Sequence, residues 1–346
     1  MYFASDNSSP AAPEVMTAMT KANEGYATSY GYDEIMDRVT AQIRDIFEAP
    51  DAAVYLVSTG TTANALALSM LTAPWQTILC HRQSHIEEDE CGAPEFYTGG
   101  AKLTLLDGLN AKIDPAQFAE VAAKTGIHGV HNIQRGAVSI TNVTELGSVY
   151  TCEEIATLCK TAKDLGMGTH LDGARFTNAL VALDCSPAEM TWKAGIDVVS
   201  FGGTKNGLLG VEAVIIFDPA KAFEFELRRK RGGHLFSKHR YLSAQMEAYL
   251  TNDLWLRLAK QANEAGAKLE AGLTKINSFE MNNPRQANML FCKMSRAAHN
   301  RAVDGGAMYY MDLSDGPDDE LIDCRLVCSW STTNAEIDQF VALAKG

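Results

Sequence analysis

The sequence predicts an α/β fold: a large domain on a mostly parallel, doubly wound sheet, followed by a smaller C-terminal α+β domain. Three observations predict it. Short β-branched runs alternate with stretches of helical periodicity up to about residue 216, as in strands joined by helical crossovers. The 346 residues are enough for one large domain and a smaller one. Hydrophobic residues make up 46% and charged residues 21%, an ordinary globular composition that leaves ample apolar surface to bury and excludes a disordered chain.

Taken in order, Ile35, Val39, Ile43 and Ile46 fall at helical spacing, with Pro50 just beyond the helix end. Ala53–Val57 reads as a strand running into Ser58-Thr-Gly-Thr-Thr62, and an Ala/Leu-rich helix follows to about Leu71. Further strands are expected at 77–80, 102–106, 136–140, 168–171, 197–200 and 211–216, with helices near 115–124 and 152–165. Residues 238–278 contain no strong breaker apart from glycines and read as one long helix leaving the large domain. Beyond it, 287–291 and 324–328 are candidate strands, closed by a helix from about Asn334. The resulting division is an arm over 1–15, a large domain over 16–245 and a small domain over 246–346. There is no internal repeat or low-complexity segment.

Composition also excludes some functions. The 30 Lys and Arg against 43 Asp and Glu leave a net charge of −13, contrary to the clustered cations that sequence-independent nucleic-acid binding needs. No apolar run approaches the roughly 20 residues that span a bilayer, and the N-terminus lacks a basic region followed by an apolar one. The eight cysteines (80, 91, 152, 159, 185, 292, 324, 328) form no C-x-x-C pair and read as reduced thiols of a cytoplasmic protein, their spacing not favouring zinc.

Four places carry candidate chemistry. Lys205, in Ser200-Phe-Gly-Gly-Thr-Lys-Asn-Gly207, follows a strand and sits among small residues. A lysine in a crowded cleft can form a Schiff base, whereas a surface lysine in a glycine turn would look the same. Asp172, in Leu171-Asp-Gly-Ala-Arg175, lies at a strand end facing the crevice where open α/β sheets bind ligands. It is suited to a protonated pyridine nitrogen, and it also reads as a helix N-cap. Ser58–Asn64 offers helix N-terminal N–H groups and hydroxyls to a phosphate, or is simply a Thr-capped helix. In Cys80-His-Arg-Gln-Ser-His-Ile-Glu87, the paired His81 and His85 raise a metal site, against a single histidine stacking on a planar ring or acting as a base. No metal ligand set is assigned.

The order of these pieces carries the resemblance. With Ala4-Ser-Asp6, Tyr30-Gly31, Ser58-Thr-Gly-Thr61, Ser84-His-Ile86 with Glu90, Leu171-Asp-Gly-Ala-Arg175, Thr204-Lys205 and Cys324-Arg-Leu-Val327, the sequence resembles the fold-type I pyridoxal-phosphate enzymes, and among them the L-threonine aldolase family of low-specificity type. The resemblance spans most of the chain. It implies that Lys205 forms the Schiff base with pyridoxal 5′-phosphate, that Asp172 pairs with the pyridine nitrogen, and that His85 stacks on the ring near the substrate hydroxyl. It implies further that Gly60, Thr61, Arg175 and Thr204 help hold the cofactor and that Ser5, Arg175 and Arg325 bind the substrate carboxylate. Tyr30 would reach in from a neighbouring subunit of a homodimer or homotetramer, and basic residues of 228–231 or Lys238 are candidates to do the same. Two departures stand out. Ser139-Ile-Thr-Asn-Val-Thr-Glu-Leu-Gly147 replaces an Asn-Thr-His-type segment, and the Ser-His-Ile motif runs into Glu-Glu-Asp-Glu90, of which 87–89 read as a solvated face.

The expected reaction is retro-aldol cleavage of L-threonine, L-allo-threonine or a related L-β-hydroxy-α-amino acid to glycine and an aldehyde. The alternatives are a phenylserine-preferring aldolase, a β-eliminating lyase, and a non-catalytic binding protein on the same fold. Because the implied site is locally cationic, the acidity of the chain is expected on its outer surface.

Overall fold

A computed structural model of the chain describes residues 1–312 and 315–346. Among these, α1 (Pro13–Ala22) and α2 (Glu34–Ile46) precede the first strand. The larger sheet holds β1 (Ala53–Val57), β2 (Gln76–His81), β3 (Lys102–Leu106), β4 (Gln134–Thr141), β5 (Gly168–Gly173), β6 (Val198–Gly202) and β7 (Glu212–Ile216). Between them lie α3 (Gly60–Leu71), α4 (His85–Glu88), α5 (Ala93–Thr98), α6 (Pro115–Lys124), α7 (Cys152–Asp164), α8 (Phe176–Leu183) and α9 (Pro187–Met190). After β7 come α10 (Ala222–Arg231), α11 (Arg240–Leu250) and α12 (Leu254–Leu273). The smaller sheet holds β8 (Phe279–Met281), β9 (Met289–Ser295), β10 (Tyr310–Met311) and β11 (Leu321–Val327), with α13 (Arg296–Asp304) and α14 (Asn334–Lys345) packed on it.

The larger sheet runs β1-β7-β6-β5-β4-β2-β3. Strands β3, β2, β4, β5 and β6 pair in parallel, while β7 is antiparallel to both β6 and β1. Every residue of β6 and β7 is buried, as expected of strands covered on both faces. Helix α3 is apolar nearly all round and buries Thr62 through Met70, so it packs inside the molecule rather than against solvent. The amphipathic α2 buries Met36, Val39 and Ile43, and Asp33 caps it by accepting from Met36 N–H at 3.0 Å. The smaller sheet is antiparallel, with order β10-β11-β9-β8.

The single helix expected over 238–278 is two helices. The chain breaks at Thr251–Asp253, where Asn252 (φ 52°) and Asp253 (φ 55°) adopt the left-handed conformation. These two residue types tolerate that region because their short polar side chains bond locally, so the break needs no glycine. The expected division at 245/246 falls inside α11. Strand β9 begins two residues after the expected start, and β8 and β10 were unmarked by sequence pattern. The N-terminal segment is tied to the smaller sheet: Phe3 is fully buried against Phe340 (ring centroids 5.1 Å), and Val327 N–H donates to Phe3 O at 2.8 Å.

Candidate active site

Five chain passages meet at one edge of the larger sheet. Strand β1 ends into Ser58, the turn after β2 leads to His85, β5 ends at Asp172 and Gly173, β6 ends into Lys205, and β7, running the other way, begins there with Glu212. A cavity of about 230 Å³ lies against this edge, lined by residues that include Ser58, Thr59, Gly60, Thr61, Asn64, His85, Ala174, Thr204, Lys205 and Glu212.

Local sequence explains each position. Thr59 caps α3, accepting from Thr62 N–H at 3.2 Å, so the first turn of the helix presents its backbone N–H groups beside the Thr59 and Thr61 side chains. Lys205 sits in a 3₁₀ turn (Thr204–Asn206) directly after β6. A side chain at Gly202 would stand 2.4 Å from Ala174 O, so only glycine lets the end of β6 approach the 173–174 turn. Asn206 anchors the turn from below, donating to Tyr249 Oη at 2.6 Å and Trp255 O at 2.9 Å. Thr204 Oγ1 is buried without a hydrogen-bond partner, a donor left over at the cavity wall.

Asp172 is buried one side chain behind the cavity. Its Oδ1 accepts from Ala174 N–H (3.0 Å) and its Oδ2 from Asn64 Nδ2 (3.1 Å), and both of those residues line the cavity. It does not cap the following helix, whose N-cap position is taken by Arg175. The same Asn64 Nδ2 donates to Glu90 Oε1 at 3.0 Å. Burial, then the nearby negative charge of Asp172, push the Glu90 carboxyl up to about 8. At neutral pH Glu90 therefore holds its proton. Two residues before Asp172, His170 is fully buried between the hydroxyls of Ser139 (2.9 Å) and Ser200 (3.1 Å). Burial lowers it to about 4, so it is neutral.

His85 opens α4 with its ring on the cavity, and its Nδ1 faces Asp89 (3.6 Å) and Glu145 (3.9 Å). Glu145 is thus the side chain that the unusual 139–147 segment brings to the histidine. Glu87, Glu88 and Asp89 are exposed, whereas Glu90 at the end of the same acidic run is buried. His81 is separate, accepting from Gln83 N–H (3.1 Å) and contacting Gly108 O (3.3 Å).

The remaining expected residues stand apart from the cavity. Arg175 is buried and doubly bonded to Asp6, Nε to Oδ2 at 2.6 Å and Nη2 to Oδ1 at 2.9 Å. Arg325 donates to Ala4 O at 3.2 Å and stacks on Tyr310. Ser5, between these two anchors, uses its hydroxyl to accept from Asn7 N–H at 3.2 Å. Residues 4–6 therefore join both arginines in one cluster. Tyr30 lines a different cavity of about 310 Å³ with Arg229 and His239, its ring beneath Lys230 Nζ at 4.9 Å.

Sequence reasoning missed the roles of Asn64, Glu90, Glu145 and Glu212. Glu212 had a signal, a charged residue opening an otherwise apolar central strand (Glu-Ala-Val-Ile-Ile).

Comparison with known proteins places this arrangement. A beta-eliminating lyase family model matches residues 2–295. A low specificity L-threonine aldolase of Pseudomonas sp. (strain NCIMB 10558) is 41% identical over 340 residues, covering 98% of this chain and 96% of that one. The chain belongs to the low-specificity L-threonine aldolase family. A second such aldolase, from Pseudomonas aeruginosa, is 38% identical, covering 95% of this chain and 93% of its own. The solved threonine aldolase of Leishmania major superposes on this one with TM-score 0.91 at 27% identity, covering 99% and 98% of the two chains. A serine palmitoyltransferase solved with pyridoxal phosphate shares the fold (TM-score 0.68, 15% identity, 100% of this chain and 86% of that one). Within the aldolase fold, the cavity at Lys205 lies where the strand ends of the parallel sheet open.

The donor set fits pyridoxal 5′-phosphate: an amine that would take its aldehyde, the Asp172 carboxyl that would serve its ring nitrogen, a helix N-terminus with hydroxyls that would hold its phosphate, and the unpartnered Thr204 hydroxyl.

Proposed function

We propose that this chain is a pyridoxal-5′-phosphate-dependent aldolase that cleaves L-threonine, L-allo-threonine or a related L-β-hydroxy-α-amino acid to glycine and an aldehyde. The observation that carries the reading is the convergence of Lys205, His85 and the Ser58–Thr61 turn on one cavity, with Asp172 immediately behind it. When bound, the cofactor supplies an electron sink for the cleaved bond. Lys205 holds its aldehyde, Gly60, Thr61 and Thr204 its phosphate, and Asp172 its ring nitrogen. Asn64 and the Ala174 amide keep the Asp172 carboxylate oriented, while the proton on Glu90 stops two buried negative charges from facing each other.

His85 holds or moves the proton of the substrate β-hydroxyl, directly or through a water, and Asp89 and Glu145 face its Nδ1 from the other side. The cluster of Ser5, Arg175 and Arg325 serves the substrate carboxylate, where a guanidinium gives bidentate recognition. Asp6 already occupies two nitrogens of Arg175, so a substrate carboxylate there competes with it. The exposed Tyr26, Tyr30, Tyr32, Phe223, Leu227 and Phe236 support a homo-oligomer that covers this face and carries Tyr30 to a neighbour's site. The eight free cysteines support a cytoplasmic setting.

A substrate panel tests the reading: L-threonine, L-allo-threonine, D-threonine and L-phenylserine, assayed with the wild type and Lys205→Ala. Glycine and aldehyde from L-isomers, lost in Lys205→Ala, are expected. Turnover of D-threonine alone, or release of ammonia and a keto acid by β-elimination, would overturn it.

A further inference from the structure

Glu212 has no part in the scheme above, yet it stands at the centre of the site. In register it lies between Val57 of β1 and Gly202 of β6. Val57 feeds the Ser58–Thr61 turn and Gly202 feeds the Lys205 turn, so Glu212 sits between the anion-binding end of the cavity and its lysine. The residue is buried and lines the cavity. Its Oε2 accepts from Gly203 N–H at 2.6 Å. It is the one carboxylic acid among the residues lining this cavity.

A carboxylate at that position is a difficulty for a site that must take a phosphate dianion. Two like charges in a small buried space repel strongly, and the conflict disappears if the acid carries a proton and donates an O–H to the anion, a short and strong charge-assisted bond. We propose that Glu212 is a protonated ligand of the phosphate end, so that entry of a phosphate-bearing cofactor draws one proton onto the Glu212 carboxyl and its departure releases it.

The surroundings suit this. Burial raises Glu212 to about 7, while the bond from Gly203 N–H and the charge of Lys205 pull it down. Around pH 7 the empty site is thus near the midpoint of its titration, and an arriving dianion drives the proton on. The other titratable groups around it are Lys205 and His85 on the cavity wall and Tyr249 of α11, which burial pushes upward and keeps neutral. By linkage, a site that gains a proton on binding loses affinity as pH rises, about tenfold per pH unit for one full proton.

This inference rests on the cofactor reading above, and the test separates the two. The ligand is pyridoxamine 5′-phosphate, which forms no Schiff base with Lys205. Its binding to the cofactor-stripped full-length protein is measured by calorimetry from pH 6 to 9, in buffers of different ionisation enthalpy that count protons. Relative to Glu212→Gln, the wild type is expected to take up about half a proton more at pH 7 and about one proton more from pH 8 to 9, where it should lose affinity about tenfold more per pH unit. Glu212→Asp, which keeps a titrating acid, is expected to restore both. Pyridoxamine, lacking the phosphate, is expected to bind the wild type without this uptake, a comparison that needs no variant. Equal proton counts and parallel pH profiles in wild type and Glu212→Gln, or equal uptake with and without the phosphate, overturn the role of Glu212. No binding of pyridoxamine 5′-phosphate to the wild type overturns the cofactor reading, and this inference with it.

Discussion

One amide holds two acids apart in this site: Asn64 Nδ2 donates to both Glu90 and Asp172. The consequence is a pH dependence of stability with a definite sign. Glu90 is raised from 4.5 to about 8 in the folded chain, so the native state holds this proton more tightly than the unfolded one. Its contribution is fully present below about pH 4.5 and is lost as pH rises toward 8, by roughly 3–5 kcal/mol across the window. Glu90→Gln mimics the protonated form. Urea unfolding at pH 5, 6.5 and 8 should show the variant gaining on the wild type at each step, and a constant difference would mean that Glu90 does not titrate there. The Asp6–Arg175 pair behaves oppositely. Burial raises Asp6, but Arg175 outweighs it and leaves the acid below its usual range. Its stabilisation is present at neutral pH and is lost as pH falls through the lowered value. Asp6→Ala strands a buried guanidinium and should cost about 3–5 kcal/mol at pH 7 in chemical denaturation.

Two elements set the site's geometry through their ends. Helix α3 begins at the Thr59 cap, so Thr59→Ala should lower global stability by about 1 kcal/mol. Because Thr59 also lines the cavity, the same variant should bind cofactor more weakly in an absorbance titration. A loss of stability with unchanged affinity would assign Thr59 to the helix alone. The break between α11 and α12 places two consecutive residues in the left-handed region. Asp253→Gly should leave the urea midpoint close to wild type, while Asp253→Val should lower stability by about 1–2 kcal/mol, since a branched side chain fits that region poorly. Helix α11 also carries Tyr249, which accepts from Asn206 next to Lys205, so displacement of the break is expected to reach the lysine turn.

At the scale of the whole molecule, residues 4–6 are held by both Arg175 of the larger sheet's region and Arg325 of the smaller sheet, so the N-terminal segment joins the two halves at the site. Tyr30 lies in a separate cavity on a face rich in exposed aromatics. If that face meets a second copy and Tyr30 completes the neighbour's site, Tyr30→Ala and Lys205→Ala should each be inactive alone. Co-refolded, they should regain turnover, because a mixed pair contains one site with both residues intact. Absence of any recovery, with mixed oligomers verified by mass, would place Tyr30 in its own chain's chemistry or outside it.

The sequence by itself determined the seven strands of the larger sheet and helices α2, α3, α6 and α7, and the order of its motifs singled out Lys205, Asp172, His85 and the Ser58–Thr61 turn as candidates. These signals are short-range: the two- and 3.6-residue periodicities, cap residues and glycine turns are written within a few neighbours. The break at Thr251–Asp253 was invisible because Asn and Asp serve helix and left-handed turn alike. Only the tertiary structure decided which acids share the site and in which protonation state. Asn64 meets Glu90 and Asp172 across 26 and 108 residues of chain, and Glu212 reaches Gly203 because β7 runs back against β6. Whether Glu90 and Glu212 are charged depends on burial and on the charges that folding brings near, and neither is a property of the residue or of its neighbours in sequence.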